Sequence, residues 1–467
     1  MSNVALVTEA SQKLRQHDWI ALAKKMNIET GLFIDGRYLE ALRGKRFESI
    51  NPATGEILAS VAYGDEADID RAVASAKDAW LAGHWRYMAP RARMTVLNRL
   101  AELIEENTAQ LALLETLDMG KPITDALTID LPEVVSTFRF YAECIDKIEG
   151  VVTNTKADAL HLIQREPLGI IGAISPWNYP LLMATWKVAP ALAAGNCVVL
   201  KPAQQAPLSC LRLAQLFIEA GGPPGVFNVV NGDGPVTGKA LALHKDVAKI
   251  SFTGSTAVGK QIMIYAGQSN LKRVALETGG KSPQIFMPDL EDLDTAVDRA
   301  YGGIFDNAGQ VCNAGSRLLV HRDIHDVFIE KFVERSREAY QPGDPLNPAT
   351  TLGPLVTRAH QQGVLAKIKQ GCQEGAQLVQ GGCEPCGMEQ GAYVSPTLFT
   401  GVNQSMGIAR DEVFGPVASV ISFDDEAEAV AIANDSIYGL AASVWTQNLK
   451  TAHRMVRAIE AGVIWVN

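Results

Sequence analysis

From about residue 66 to residue 110 apolar side chains recur at i, i+3, i+4 and i+7, through DIDRAVASAKDAW and RMTVLNRLAELIEENTAQLALLETL. That period predicts amphipathic helices. Further along the rhythm shortens. Apolar, β-branched runs such as GIIGAI, NCVVLK, VFNVVNG and KISFTG alternate with helical stretches such as SCLRLAQLFIEAG. Short buried strands alternating with helices predict a parallel sheet covered by helices. A second alternating region follows Glu277, with SPQIFM, SRLLVHRD, VFIEKFVERSREA, PVASVISF and EAVAIANDS, and predicts a separate α/β domain. Before the first sheet, VVTNTKADALHLIQREPLG is polar and alternating, the pattern of a protruding hairpin. The last residues, AGVIWVN, read as an apolar strand, whereas the ends of a domain are usually polar. A further C-terminal segment is therefore expected to be missing.

The chain has 467 residues, too many for one core, and two or three domains are expected. A hydrophobic share of 47% with 20% charged residues excludes a disordered chain and predicts no membrane span. The first residues mix charges and contain no leader-like apolar core, so the expected location is cytoplasmic. A net charge of -10 argues against nucleic acid or anionic membrane as partner and leaves small molecules. Seven irregularly spaced cysteines in such a chain are expected to be reduced thiols.

Two glycine-rich turns compete for a phosphate. Gly232 to Gly238 follows the VFNVV strand and nearly fits G-x-G-x-x-G, with Gly234 in place and Gly238 one residue late; alone it is as readily a simple turn. Gly254-Ser255, after KISFT, opens a helix whose free N–H groups can meet an anion. The same stretch fits G-x-x-x-x-G-K but has Gln261 where a triphosphate loop needs a magnesium-binding hydroxyl. A dinucleotide pyrophosphate suits it better than a kinase or ATPase substrate.

Cys312 lies in Asn307-Ala308-Gly309-Gln310-Val311-Cys312-Asn313-Ala314-Gly315, among small and polar residues that would leave a thiol accessible. A lone cysteine is more often inert core, and that reading stands for Cys144, Cys197, Cys210 and Cys372. Cys383 and Cys386 have metal-ligand spacing but no second pair, so no metal is expected. The company of Cys312 changes its reading. Leu276-Glu277-Thr278-Gly279-Gly280-Lys281, Pro176-Trp177-Asn178-Tyr179-Pro180, Lys201-Pro202-Ala203, Phe252-Thr253-Gly254-Ser255 and Glu412-Val413-Phe414-Gly415-Pro416 accompany it in order. In these motifs the chain resembles the aldehyde dehydrogenase superfamily, from roughly residue 33 to residue 467.

The resemblance implies an α/β fold: a Rossmann-like cofactor domain, an α/β catalytic domain and a small β oligomerisation arm. On this chain these would be residues 1–148 with 168–277, residues 278–467, and residues 149–167 respectively. It implies Cys312 as nucleophile, Asn178 with a backbone N–H as oxyanion donors, Glu277 as the base that activates water, and Lys187 in proton relay. NAD or NADP would be held by Ser175, Trp177, Lys201, Gln204, Gly234, Gly238, Gly254, Ser255, Gly279, Glu412 and Phe414. Gln204 stands where NAD-preferring members commonly carry a carboxylate, so NADP should be tolerated too.

Overall the chain looks most like the subgroup acting on γ-glutamylaminobutyraldehyde and related polyamine-derived aldehydes, with Tyr179 and Trp186 in the implied substrate region. Asp130, Glu133 and Asp306 fall where that comparison expects a tunnel for a cationic aldehyde; the plain alternative is three solvated surface charges. A homodimer or homotetramer is implied. The family continues past the strand ending at Asn467, with a substrate loop and an intersubunit strand. Competing readings are a general aliphatic or aromatic aldehyde dehydrogenase, a coenzyme A-acylating relative, and a catalytically silent relative. Glu277 speaks against the acylating relative, and Cys312, Glu277 and Asn178 together against the silent one.

Overall fold

The structure is a computed structural model that describes residues 11–467. It divides into two compact units: residues 11–51, Ile57–Met119 and Ile123–Glu277 form the first, and Pro52–Glu56, Gly120–Pro122 and Thr278–Asn467 the second.

In the first unit the helical period gives Glu66–Ala82, Pro90–Glu106 and Thr108–Met119. Asp65 caps Glu66–Ala82 by accepting from the Ala67 N–H at 3.0 Å, and Gly83 ends it at φ 75°. Ile69, Ala72, Val73 and Ala76 form its buried stripe. The sheet runs Arg273–Glu277, Val247–Thr253, Ile170–Ile174, Cys197–Lys201, Phe227–Val229, then the hairpin Leu32–Ile34 and Arg37–Leu39. The first five strands are parallel, and Leu32–Ile34 joins antiparallel. Every residue of Ile170–Ile174 and Cys197–Lys201 is buried, which explains their unbroken apolar runs. Helices Glu66–Ala82, Pro180–Ala193, Leu208–Glu219 and Thr256–Gln268 pack against the sheet. Residues Val151–Thr153 and His161–Ile163 form a separate antiparallel pair, exposed along most of its length.

The second unit holds another seven-stranded sheet, ordered Gln377–Gln380, Thr397–Thr400, Val417–Phe423, Arg317–His321, Pro283–Phe286, Ala441–Trp445 and Val463–Val466. All its strands are parallel except Gln377–Gln380. Phe286, Phe305, Leu318, Phe328 and Phe332 centre one core cluster, built with helices Leu293–Phe305 and His325–Ala339. Ile285, Leu319, Val444 and Met455 centre a second. Helix Arg358–Gln373 contributes Val364 and Ile368 to a third.

Candidate active site

Taken in chain order, the parallel strands of the first sheet lie 5-4-1-2-3, the arrangement of a dinucleotide fold. The order reverses between Ile170–Ile174 and Val247–Thr253. Ligands of such sheets bind beyond the carboxyl ends of the strands at that reversal. Ser175, Trp177, Asn178 and Tyr179 follow the first of these strands, and Gly254 and Ser255 the second. Asn178 and Ser175 are buried, while Trp177 and Tyr179 are half-buried. Pro180 then starts a helix on which Trp186 faces solvent and Lys187 is buried. The Lys187 ammonium donates to the Thr253 hydroxyl at 2.6 Å and the Met183 carbonyl at 3.1 Å, tying this helix to the end of the neighbouring strand.

Lys201 ends the next strand, buried, donating to the carbonyls of Pro202 at 2.7 Å and Gly232 at 2.8 Å. Burial pushes its pKa down to about 8, with Asp233 pulling the other way. Gly238 lies against its stem, since a Cβ there would sit 3.6 Å from the lysine Cδ; Gly234 is exposed and Gln204 half-buried. Ser255 caps helix Thr256–Gln268 by accepting from the Val258 N–H at 3.4 Å. Glu277, exposed, pairs in register with Thr253 at the sheet edge, and its carbonyl accepts from the Gly254 N–H at 3.1 Å. This set suits a dinucleotide: a helix N-terminus for the pyrophosphate and a buried cation two strands away.

The candidates of the second unit gather at the amino ends of its strands. Gly279 and Gly280 precede Pro283–Phe286, Cys312 precedes Arg317–His321, and Glu412 with Phe414 precede Val417–Phe423. The glycines allow close packing. A Cβ on Gly279 would fall 2.0 Å from a Glu412 carboxylate oxygen, and one on Gly280 would fall 2.5 Å from the Cys312 carbonyl oxygen. The Gly280 N–H donates to Glu412 Oε1 at 3.2 Å, and burial raises the Glu412 pKa against that bond. Cys312 itself is half-buried.

Just before Cys312 the chain passes through three left-handed residues, Asn307 at φ 49°, Ala308 at φ 54° and Gly309 at φ 72°. Left-handed backbone at a non-glycine costs on the order of 1 kcal/mol and persists only where its surroundings impose it. Gln310, fully buried, is that surrounding: its amide donates to the Asn307 carbonyl at 3.0 Å and accepts from the Val356 N–H at 2.9 Å. Gly309 is pressed on the Gly415 carbonyl, where a Cβ would come within 2.1 Å. Phe414 is also left-handed, at φ 57°, and its carbonyl meets His360 Nε2 at 2.7 Å. Sequence reasoning missed Gln310 and His360. Gln310 sits in the quoted segment around Cys312 and His360 outside every motif; in both cases the bond that matters, to Val356 or to Phe414, reaches backbone far along the chain and leaves no local signal.

The three expected tunnel carboxylates have unlike surroundings. Asp130 is buried at the end of an irregular helical turn, Glu133 is exposed on the next helix, and Asp306 is exposed with its carboxylate bonded to the Tyr340 hydroxyl. Of the cysteines expected in the core, Cys197 and Cys210 are buried, but Cys144 is only half-buried and Cys372 is exposed at the end of an amphipathic helix. Cys383 and Cys386 are exposed. Among the described residues no group of three or more histidine, cysteine or acidic side chains is placed to hold a metal. No helix of the described residues is long and apolar enough to cross a membrane.

Comparison with known proteins gives a match to the aldehyde dehydrogenase family model over residues 38–467. The chain is 47% identical over 449 residues to the NADP/NAD-dependent aldehyde dehydrogenase PuuC of Escherichia coli, covering 96% of this chain and 90% of that one. The crystal structure of gamma-glutamyl-gamma-aminobutyraldehyde dehydrogenase from Burkholderia cenocepacia superposes with a TM-score of 0.95 at 52% identity, covering 97% of this chain and 91% of that one. An indole-3-acetaldehyde dehydrogenase solved with NAD+ superposes with a TM-score of 0.96 at 50% identity, covering 97% and 92%. With its two mostly parallel sheets, its switch-point turns and its strained cysteine loop, the chain belongs to the aldehyde dehydrogenase family.

Proposed function

We propose that this chain oxidises an ω-amino or N-substituted amino aldehyde to the carboxylic acid, with NAD or NADP. The first unit serves as the cofactor-binding part and Thr278–Asn467 as the catalytic part. The observation that carries the reading is Cys312 itself: half-buried, next to a three-residue left-handed run, with Gly280 packed on its carbonyl. A thiol so held has its direction of attack set before substrate arrives.

In this reading the Cys312 thiolate attacks the aldehyde carbon, and the Asn178 amide with the Cys312 N–H holds the oxyanion. The bound nicotinamide supplies the hydride acceptor. Collapse of the adduct leaves a thioester on Cys312, and Glu277 takes a proton from the water that hydrolyses it. Lys187, bonded to Thr253, serves the proton relay. Lys201, Gln204, Trp177, Ser175, Gly234, Gly238, Gly254 and Ser255 hold the adenosine and pyrophosphate side, and Gly279, Glu412 and Phe414 the nicotinamide ribose. Gln204 puts no negative charge beside Lys201, so NADP is accepted with NAD, within roughly 1–2 kcal/mol. The Escherichia coli relative, named as NADP/NAD-dependent, agrees with this.

The amino-aldehyde preference is supported by the Burkholderia relative's stated substrate and by Asp306, an exposed carboxylate in the segment leading to Cys312. Asp130, Glu133, Tyr179 and Trp186 complete the proposed substrate set. A neutral aromatic aldehyde is the second reading, favoured by the relative named for indole-3-acetaldehyde. Cytoplasmic action suits a chain whose seven cysteines are thiols, and Val152, Leu160 and Leu162, exposed on and beside the arm, suit a homodimer or homotetramer.

The test is a panel of ω-aminoaldehydes, their γ-glutamyl derivatives, indole-3-acetaldehyde and neutral aliphatic aldehydes, with each cofactor, read as cofactor reduction. The proposal expects the amino or N-substituted aldehydes to lead in kcat/KM by roughly tenfold. Equal efficiency for a neutral aldehyde of the same length would overturn the substrate class, and turnover that rises with coenzyme A would overturn hydrolysis.

A further inference from the structure

Two helices of the first unit begin without a cap of their own. Helix Pro180–Ala193 follows Tyr179 and helix Leu208–Glu219 follows Pro207, and neither of those side chains bonds to the free N–H groups of the first turn. Helices Glu66–Ala82 and Thr256–Gln268, by contrast, are capped by the adjacent Asp65 and Ser255. What precedes the two uncapped starts gives them weight: Ser175 to Tyr179 lead into the first, and Lys201 to Gln204 lead towards the second.

Both starts are met by one helix from elsewhere in the chain. Helix Thr108–Met119 carries Glu115 and Asp118 one turn apart, 1% and 2% exposed. Glu115 Oε1 accepts from the Leu181 N–H at 3.3 Å, the first N–H of its helix because Pro180 has none. Asp118 Oδ2 accepts from the Leu208 N–H at 2.9 Å, and its other oxygen accepts from the Ser49 hydroxyl at 2.5 Å. The Cys210 thiol, on the second helix, donates to the Pro180 carbonyl at 3.7 Å, so the two starts are also joined to each other. Burying a carboxylate is costly even when donors replace its water. Burial pushes the Asp118 pKa up to about 7 against the pull of its two bonds. The positive end of a helix offsets part of that cost. Each start is thus fixed by a group outside the turn it holds, which leaves the turn's own side chains for ligand contact.

We propose that Glu115 and Asp118 are positioning residues for the reaction, Glu115 aiming Asn178 and Asp118 aiming Lys201, each through the helix start it caps. The inference rests on the roles given above to Asn178 in holding the oxyanion and to Lys201 in holding the dinucleotide. The two carboxylates then act on different quantities. Loss of the Glu115 bond frees the turn that ends at Leu181, shifts Asn178 and slows hydride transfer. Loss of the Asp118 bond loosens the segment between Lys201 and Leu208, whose Pro202 carbonyl holds the Lys201 ammonium, and weakens dinucleotide binding.

The test uses the full chain and compares variants that keep an acceptor oxygen, E115Q and D118N, with apolar ones of similar shape, E115M and D118L. Thermal melting establishes that each folds. E115M should slow single-turnover cofactor reduction roughly tenfold and change dinucleotide affinity, read by fluorescence titration, by less than about twofold. D118L should do the reverse, weakening dinucleotide binding roughly tenfold while single-turnover reduction at saturating cofactor stays within about twofold of wild type. E115Q and D118N should recover most of each loss. Amide hydrogen exchange should speed up around Leu181 in E115M alone and around Leu208 in D118L alone. If an apolar variant does not fold, E115D or D118E, which displaces the acceptor oxygen by one methylene, takes its place. Equal loss of rate and affinity in both variants, no recovery in E115Q and D118N, or unchanged exchange at the capped turns overturns the proposal. N178A with undiminished single-turnover reduction, or K201A with undiminished dinucleotide affinity, overturns the role on which that half rests, whereas hydrogen exchange judges the caps themselves.

Discussion

The two sheets present chemistry from opposite ends. In the first unit the candidate groups stand at the carboxyl ends of parallel strands, where the chain turns into helices and offers free N–H groups and caps. In the second they stand at the amino ends, on segments that run straight into strands and open no helix. There the backbone is held by remote side chains: Gln310 on the Val356 N–H, His360 on the Phe414 carbonyl, Gln284 on the carbonyls of Ala300 and Gly315. A dinucleotide is bound by repeated local geometry, whereas a nucleophile needs one side chain held in one direction, and long-range contacts provide that.

The sharpest break of this comparison is Cys312→Ala. It should lower steady-state turnover by more than about a thousandfold while leaving dinucleotide binding to the first unit intact, measured by cofactor fluorescence titration. Next is Gly309→Ala, where φ is 72° and a Cβ would strike the Gly415 carbonyl. A loss of about 2 kcal/mol in unfolding free energy is expected, with reduced kcat and an unchanged cofactor affinity. Equal loss of both functions would mean that the two regions do not divide the work.

Two smaller effects sharpen the comparison. Asp306→Asn should raise KM for an aminoaldehyde roughly tenfold and leave a neutral aldehyde of equal length unchanged. The bond to Tyr340 makes a purely structural carboxylate the competing outcome, recognised by equal effects on both substrates. In the first unit, Lys201 is a cation below its pKa of about 8 and neutral above it. The ratio of kcat/KM for NADP over NAD should therefore fall, roughly threefold, as pH rises through that value. A ratio that stays flat to pH 9 would remove Lys201 from the recognition of the 2′-phosphate.

Sequence patterns were informative to unequal degrees in the two regions. The runs GIIGAI, NCVVLK and KISFTG became Ile170–Ile174, Cys197–Lys201 and Val247–Thr253, because fully buried parallel strands must be apolar throughout. Residues Arg273–Glu277 gave no such signal: this edge strand alternates exposed and half-buried positions and carries an arginine. Neither did the antiparallel pair Arg46–Ile50 and Ile57–Ala62, whose outer faces are solvated. Around Cys312 the residue types were legible and the conformation was not. Asn307 and Gly309 tolerate left-handed backbone, but Ala308 does so only because Gln310 and Val356 fix the loop, 46 positions apart. Glu115 looked like one more residue of a helical run, and only its burial and its bond to Leu181, 66 positions on, show what it holds.

The central claim is that Cys312 carries the acyl group and Glu277 releases it. Rapid mixing of Glu277→Gln with aldehyde and NAD, followed by intact-mass measurement, tests it most directly. The account predicts a burst of about one reduced cofactor per chain, near-zero turnover afterwards, and an acyl adduct that maps to the peptide containing Cys312. Steady turnover at the wild-type rate with no adduct on that peptide would contradict it.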